Sequence, residues 1–164
     1  MLFRSNYALV AITVVCDTTA PLVEFTNPAD FTETSTVTIP VAGVAADSFT
    51  AVNGAAVGVN GADTQYVAVA GGVWSATAAL VDGANTITVG CSDAAGNYSL
   101  VVITVVCDTM APLVEFTNPA DFTETSAVTV PVAGVAADSF TAVGGVAIGI
   151  NGGETQYVAV AGGI

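Results

Sequence analysis

The sequence repeats itself with a period of 91 residues. Residues 12–73 and 103–164 match at 52 of 62 positions without a gap. Four of the ten differences exchange valine for isoleucine, which keeps the β-branch and changes the volume by one methylene. This period is longer than that of solenoid repeats, so we expect separate domains in tandem. The repeat predicts a leading segment 1–16, a complete domain 17–107 and a truncated domain 108–164.

The leading segment has a close copy inside the chain. Residues 6–16 read NYALVAITVVC and residues 97–107 read NYSLVVITVVC, a match at 9 of 11 positions. A secretory or lipoprotein signal would also combine a basic residue, here Arg4, with an apolar run that ends at Cys16. The internal copy, and the bulky Val15 before the cysteine, argue against a signal. We therefore predict that this segment is the last strand of a preceding repeat.

The complete domain has the pattern of an all-β fold. Apolar residues alternate with period two between turns rich in Gly, Pro, Asn and Asp, which predicts strands at residues 22–26, 36–42, 48–52, 56–59, 65–70, 73–80, 85–91 and 98–106. Seven or eight short strands indicate tandem immunoglobulin-like β-sandwiches, one complete and one truncated. Trp74 is in phase with Ala76 and Ala78, so we assign it to the core and not to a sugar-binding surface. The last strand is apolar on both faces, and we expect its outer face to be covered.

The composition excludes several functions. The chain has fourteen acidic residues, one Arg, and no Lys or His, for a net charge of −13. Nucleic acid and anionic membranes are therefore not expected as partners. A Ser-His-Asp triad, a histidine zinc site and a lysine Schiff base are therefore impossible. No apolar run reaches the length of a membrane span, so we expect no membrane insertion. A hydrophobic content of 53% exceeds the needs of one small core and predicts packing between chains.

Four motifs occur in an order that resembles a known family. They are DTTAP at 17–21, VNG at 52–54, GANTITV at 83–89 and SDAAGN at 92–97. Together they resemble bacterial immunoglobulin-like repeats of the Big type, the tandem modules of large extracellular surface proteins. They are similar also to accessory sandwich domains of some secreted glycosidases. The resemblance implies an extracellular or cell-surface location and a spacer, stalk or adhesive array without catalysis. The three cysteines and the near-identity of the two repeats depart from the family pattern.

These observations favour a structural protein, a surface stalk or filament stiffened by disulfides and by strand and sheet packing between subunits. One alternative is an adhesin or carbohydrate-binding module of a larger secreted protein. Another is the non-catalytic accessory domain of a larger glycosidase. Clustered exposed aromatic side chains would favour binding, and a buried Trp74 would favour the structural role.

The cysteines suggest a disulfide framework within the implied fold. In an immunoglobulin-like sandwich, the chain enters at one end and the loop between the last two strands lies at the same end. This places Cys16 near Cys91 and predicts a disulfide between them, hence an oxidising compartment. Cys107 would pair with the next repeat or another subunit. The alternative is that each cysteine is a small buried apolar residue.

The acidic residues map to the two ends of the sandwich. Asp17, Asp47 and Asp93 fall at the end where the chain enters, here called the proximal end. At the distal end, Asp30 and Asp82 would face Asp108 and Asp138 of the next repeat. Carboxylates suit Ca²⁺, and related surface arrays place calcium at such junctions. The alternative is that these residues simply form turns. Asn97 begins an Asn-Tyr-Ser sequon for glycosylation.

One end of the sequence holds a strand without its repeat, and the other end holds a repeat without its last strands. The second repeat stops before the counterparts of the last three predicted strands, while residues 9–15 are a last strand without its domain. We predict that residues 9–15 form a strand paired with residues outside 17–107. In a head-to-tail homopolymer the partner is another copy, as in donor-strand complementation. The alternative is that the 164 residues are part of a longer chain.

Overall fold

The computed structural model describes residues 8–62 and 64–161. The first seven residues of the leading segment, Asp63, and residues 162–164 lie outside the described part. The regular structure in the described residues consists of β1 (Leu22–Asn27), β2 (Thr32–Thr34), β3 (Thr38–Ala46), β4 (Gly54–Val59), β5 (Gln65–Ala68), β6 (Val73–Ala79), β7 (Gly83–Ser92), β8 (Tyr98–Cys107), β9 (Leu113–Asn118), β10 (Ala133–Ala137), β11 (Gly145–Ile148) and β12 (Gln156–Ala159). The all-β prediction is confirmed. The described residues contain no helix of the length and hydropathy needed to cross a membrane.

The complete repeat is a sandwich of two sheets. One sheet has three strands in the order β1-β3-β6, and the other has five in the order β2-β8-β7-β4-β5. Neighbouring strands are antiparallel except β2 and β8, which run parallel. The alternating apolar residues of both sheets meet between them, because side chains along a strand point to opposite faces.

Trp74 is at the centre of this core. Its side chain is 1% exposed, its Nε1 donates to the carbonyl oxygen of Val44 at 3.2 Å, and its ring meets Phe25 edge-on with centroids 5.2 Å apart. Gly43 lies against the indole, and a Cβ there would overlap both the Trp74 ring and the carbonyl oxygen of Glu24. The assignment of Trp74 to the core is confirmed.

Two local predictions are wrong. The predicted strand at residues 48–52 does not form, and residues 48–50 are a bend, because Oδ1 of Asp47 accepts the amide hydrogens of Phe49 at 2.8 Å and Thr50 at 3.0 Å. Such side-chain bonds replace the ladder and turn the chain. The expected turn after β1 contains the short strand β2, whose residues pair with the last three residues of β8. That pairing depends on residues 73 positions away, so no local sequence pattern predicts it.

The second repeat contains two small sheets. β9 pairs with β10 and β11 pairs with β12, and these strands are the counterparts of β1, β3, β4 and β5. The counterparts of core residues are exposed here. Val114 is 51% exposed, whereas Val23, its equivalent in the complete repeat, is 2% exposed.

The leading segment makes no strand within the chain. Residues 8–20 have no regular secondary structure, and residues 8–16 are exposed. The prediction that residues 9–15 pair outside 17–107 therefore remains a prediction about contacts with another chain.

The outer face of β8 is apolar and open to solvent. Tyr98, Leu100 and Val102 alternate along the strand and are each about half exposed. In the described part of the chain this face has no cover, so the expected cover remains a prediction about neighbouring chains.

Candidate cation site and repeat junction

Three carboxylates meet at the proximal end of the complete repeat. Asp17 lies in the linker before β1, Asp47 follows β3, and Asp93 follows β7. One carboxylate oxygen from each lies within 4.8 Å of the other two. Asp17 and Asp47 are half-buried and Asp93 is buried. The sandwich brings together the three acids that the sequence placed at this end.

Hydrogen bonds hold the loop that carries Asp93. The amide nitrogen of Asn97 donates to Oδ1 of Asp93 at 2.9 Å, and Nδ2 of Asn97 donates to Oδ2 at 2.7 Å. The side-chain bond from Asn97 is the main cause that lowers the pKa of Asp93, against the opposing effect of burial. Asp93 is therefore ionised at neutral pH.

The other two carboxylates are tied to the same end by short local bonds. Oδ1 of Asp17 accepts the amide hydrogen of Thr19 at 3.0 Å, and Oδ2 accepts the hydroxyl of Thr50 at 3.4 Å. Both amide bonds to Asp47 fall on its Oδ1, which leaves its Oδ2 available as an acceptor. The same carboxylates thus form turns and present oxygen atoms to one point.

This donor set fits a hard divalent cation. Carboxylate oxygens are preferred ligands of Ca²⁺, and three negative groups this close repel one another unless a cation lies between them. The chain offers one basic residue, Arg4, and it lies outside the described residues. The turn-forming role predicted as the alternative is also present in the same hydrogen bonds.

The distal acids do not form a comparable site. Oδ1 of Asp30 accepts the amide hydrogen of Thr104 at 2.8 Å, and Asp82 binds the linker. Within residues 8–62 and 64–161, the set Asp17, Asp47 and Asp93 is the one cluster whose oxygens meet. In the described residues, the predicted calcium set that joins Asp30 and Asp82 to the next repeat is therefore not assembled, because these two carboxylates bond to Thr104 and Thr109 and do not converge with other acids.

Two of the three carboxylates of the proximal cluster have counterparts in the second repeat. The hydroxyl of Thr141 donates to Oδ2 of Asp108 at 2.7 Å, as Thr50 does to Asp17. The pKa of Asp138 is lowered, chiefly by the hydrogen bond from the amide of Phe140. Asp108 and Asp138 are thus the counterparts of Asp17 and Asp47.

A contact between the two repeats forms at the distal end of the first. Oδ1 of Asp82 accepts both the amide hydrogen of Thr109 at 3.2 Å and its hydroxyl at 2.7 Å. The ring of Phe140 lies over Gly83, where a Cβ would come within 3.2 Å of Cε1. Gly83 also has a φ of 94°, which favours glycine. Sequence reasoning did not single out Thr109, Gly83 or Phe140, although Phe140 recurs as Phe49 at the repeat period.

The cysteines do not form the predicted framework. Cys16, Cys91 and Cys107 are free thiols, Cys16 exposed and the others buried. Burial is the main cause that raises the pKa of Cys91 and of Cys107, with nearby Asp side chains adding to it. Sγ of Cys107 donates to the carbonyl oxygen of Thr36 at 3.6 Å inside its own sandwich. The alternative of small buried residues therefore fits Cys91 and Cys107, whereas Cys16 is exposed and fits neither that alternative nor a bond to Cys91.

The side chain of Asn97 is engaged in hydrogen bonds within the folded repeat. Its Nδ2, the atom that would carry a glycan, donates to Asp93 and to the carbonyl oxygen of Asp17 at 3.2 Å. The side chain is half-buried. Glycosylation at Asn97 remains a prediction, and it would cost at least one of these two bonds because a glycosylated Nδ2 keeps a single hydrogen.

The two-sheet fold and the junction between the repeats are those of immunoglobulin-like β-sandwich modules arranged in tandem. A family profile described as glucodextranase, domain B, matches residues 21–109, which are 89 of the 164 residues. The chain belongs to this family. The match covers residues 21–107 of the complete repeat and supports the immunoglobulin-like fold without selecting the Big-type family. No curated protein matches the chain.

Two solved structures are partly similar to the chain. Fibronectin(III)-like modules of CbhA from Clostridium thermocellum share 15% identity, with a TM-score of 0.44 over 53% of this chain and 46% of theirs. An engineered protein shares 26% identity, with a TM-score of 0.41 over 54% of this chain and 20% of its own. The chain thus spans less than half of either structure.

Proposed function

We propose that this protein is a non-catalytic, extracellular structural repeat that acts as a spacer in a surface stalk or filament. The repeat junction is the observation that carries the proposal. A hydrogen-bonded linker and an aromatic ring both hold the second repeat against the first, through Asp82–Thr109 and Gly83–Phe140. A spacer needs this kind of contact, because a free linker would let each repeat swing independently.

Two further observations support a structural role. Trp74 is buried, so the largest aromatic ring of the repeat is not available as a sugar platform. The outer face of β8 is apolar, which suits packing between neighbouring chains.

The junction can be tested by small-angle X-ray scattering of the 164-residue chain at dilutions where it is monomeric. We expect the wild-type curve to fit a single angle between the repeats. The double variant Asp82→Ala/Phe140→Ala should broaden that distribution of angles. Phe49→Ala is the matched control, because Phe49 is the repeat equivalent of Phe140 and is 65% exposed. A broad distribution in the wild type, or no change in the double variant, would contradict a stiff spacer.

A second candidate function is a carbohydrate-binding accessory module of a larger secreted enzyme. It is favoured by the family description, which names one domain of a glucodextranase, and by exposed aromatic side chains that recur at the repeat period, namely Phe31, Tyr66, Phe122 and Tyr157. Affinity electrophoresis in gels containing α-glucans separates the two candidates. Retardation that is lost in Tyr66→Ala/Tyr157→Ala would favour the binding module, and unchanged mobility favours the spacer.

We also propose that calcium binds at the proximal cluster of Asp17, Asp47 and Asp93. Bound there, the cation would tie the linker to the loops after β3 and β7, since each carboxylate comes from one of these segments. The linker is the segment that connects successive repeats, so the cation would stiffen the same spacer.

A further inference from the structure

The outer face of the five-stranded sheet is uncharged over four of its strands. β4, β5, β7 and β8, all of which the structure describes, contain no charged residue, although the chain has fourteen acids. Glu33 of β2, which pairs with Val106, lies at the margin of this face. The outer face of the three-stranded sheet, in contrast, carries the exposed Glu24. In a chain with a net charge of −13, a second copy therefore meets the least repulsion at the outer face of the larger sheet.

The size of the outward side chains on this face differs on the two sides of β7. On one side, β8 turns large side chains outward, each about half exposed, namely Tyr98, Leu100 and Val102. On the other side, β4 turns only glycine and alanine outward, namely Gly54, Ala56 and Gly58. The face thus has a ridge along β8 and a trough along β4, with β7 between them.

The ridge and the trough are aligned residue by residue across β7. Gly90 pairs with Leu100 on one side and with Ala56 on the other. The side chain of Tyr98 crosses β7 at Gly90, where a Cβ would overlap the phenol ring. One residue pair further along, Thr88 joins Val102 to Gly58 in the same way. Each large side chain of the ridge therefore has a small residue of the trough in its own row.

This arrangement is self-complementary about an axis that runs parallel to β7 above the sheet. Half a turn about that axis keeps every row at its height and exchanges the positions of β8 and β4. Leu100 of each copy then lies over Ala56 of the other, and Val102 lies over Gly58. Tyr66 of β5, which pairs with Ala56, closes the trough on its outer side and would flank the inserted Leu100. Each contact occurs twice, as in any isologous interface.

We propose that two copies of this protein pair side by side through this face, with the ridge of each in the trough of the other. The inference rests on the proposed structural function and deepens it by naming the partner, a second copy. Because the axis runs along the strands, the complete repeats of both copies point in the same direction. Two stalks that project from one surface have this relative orientation.

The size of the face sets the strength of the pairing. With strands about 4.8 Å apart and about 3.3 Å per residue, the four strands cover about 500 Å² in each copy. About 1,000 Å² in the pair is the lower limit of specific interfaces. We therefore expect association that is reversible and depends on protein concentration. Added NaCl should strengthen it, because salt screens the repulsion between two anionic copies.

Sedimentation velocity of the 164-residue chain over a range of concentrations, with two charge variants, tests the pairing. Leu100→Lys and Ala56→Glu should each weaken self-association at least about tenfold, because each buries a charge without a partner. An equimolar mixture of the two variants should restore pairing, because the new lysine of one copy meets the new glutamate of the other. Unchanged fluorescence of the buried Trp74 checks that both variants are folded.

Thr86→Glu is the matched control for the mixture. It places the same charge on the same face, at an exposed position of β7 that lies outside the row of Leu100. A mixture of Leu100→Lys with Thr86→Glu should therefore pair less than the mixture with Ala56→Glu.

Two results would overturn the proposal. One is a wild-type chain that stays monomeric at every concentration and salt level, and the other is equal pairing in the two mixtures. A monomeric wild type whose retardation in an α-glucan gel is lost in Leu100→Lys would assign the face to a glycan instead. The scattering test of the junction uses the monomer, so the proposed spacer function would stand or fall separately.

Discussion

At the scale of single residues, Asn85 uses its whole hydrogen-bonding capacity inside the sandwich. Its side chain is completely buried. Nδ2 donates to the carbonyl oxygens of Val81 at 2.7 Å and Gly83 at 2.9 Å. Oδ1 accepts from the amide of Val81 and from Nδ2 of Asn60, both at 2.9 Å. The GANTITV motif thus carries an asparagine that fixes the turn between β6 and β7, next to the junction.

We expect Asn85→Asp to destabilise the complete repeat by at least about 2 kcal/mol, because a carboxylate would replace the donor that faces two carbonyl oxygens. Urea unfolding followed by tryptophan fluorescence measures this through Trp74, the one tryptophan of the chain. Asn53→Asp is the control, since Asn53 is exposed and the second repeat has glycine at that position. Similar midpoints for the two variants would show that the buried network does not stabilise the turn.

At the scale of elements, identical sequences take different structures in the two repeats. Residues 20–35 and 111–126 both read APLVEFTNPADFTETS. The first part of this segment forms a strand in both copies, β1 in the first and β9 in the second, because each strand pairs with a strand of its own repeat. β2 forms in the first copy alone, because it pairs with β8. Because the two segments are identical in sequence, the presence of β8 accounts for the formation of β2 in the first repeat.

Hydrogen exchange at equivalent amides should reveal this difference directly, with no correction for different intrinsic exchange rates. The two segments have the same intrinsic exchange rates, since sixteen consecutive residues are identical. The amides of Phe31 and Phe122 each donate to Oδ1 of the preceding aspartate at 3.1 Å, but Phe31 also donates to the carbonyl oxygen of Thr104 at 2.8 Å. In the dilute monomer we therefore expect slower exchange at Phe31 than at Phe122. NMR resolves the two amides individually. Equal protection in the dilute monomer would contradict the role assigned to β8.

At the scale of the whole molecule, the charge is both high and unbalanced. The net charge of −13 comes from fourteen acids and one Arg, and three of the acids meet at the proximal end. Their mutual repulsion destabilises the folded repeat, and a bound cation would remove it. A ligand that binds only the folded state raises stability by mass action.

Thermal melting at constant ionic strength tests the calcium proposal. We expect a higher Tm with millimolar CaCl2 than with chelator, and loss of this shift in Asp47→Asn. That variant keeps Oδ1 as acceptor for Phe49 and Thr50 but removes the charge. Asp121→Asn is the control, since it removes the same charge away from the cluster. Identical melting with calcium and with chelator in the wild type would exclude the site.

The sequence by itself determined the fold class, the repeat period and the core position of Trp74. These follow from alternation along each strand and from internal identity, which are local or directly readable. It also placed Asp17, Asp47 and Asp93 at one end, because loops at the same end of a sandwich must meet. The tertiary structure decided what depends on distant partners. β2 needs β8, the bend at residues 48–50 needs the carboxylate of Asp47, and the Phe140 contact needs Gly83 of the other repeat. The burial of Cys91 and Cys107 also depends on the tertiary structure, because the packed strands bury both thiols. The spacing between the cysteines in the sequence does not predict this burial.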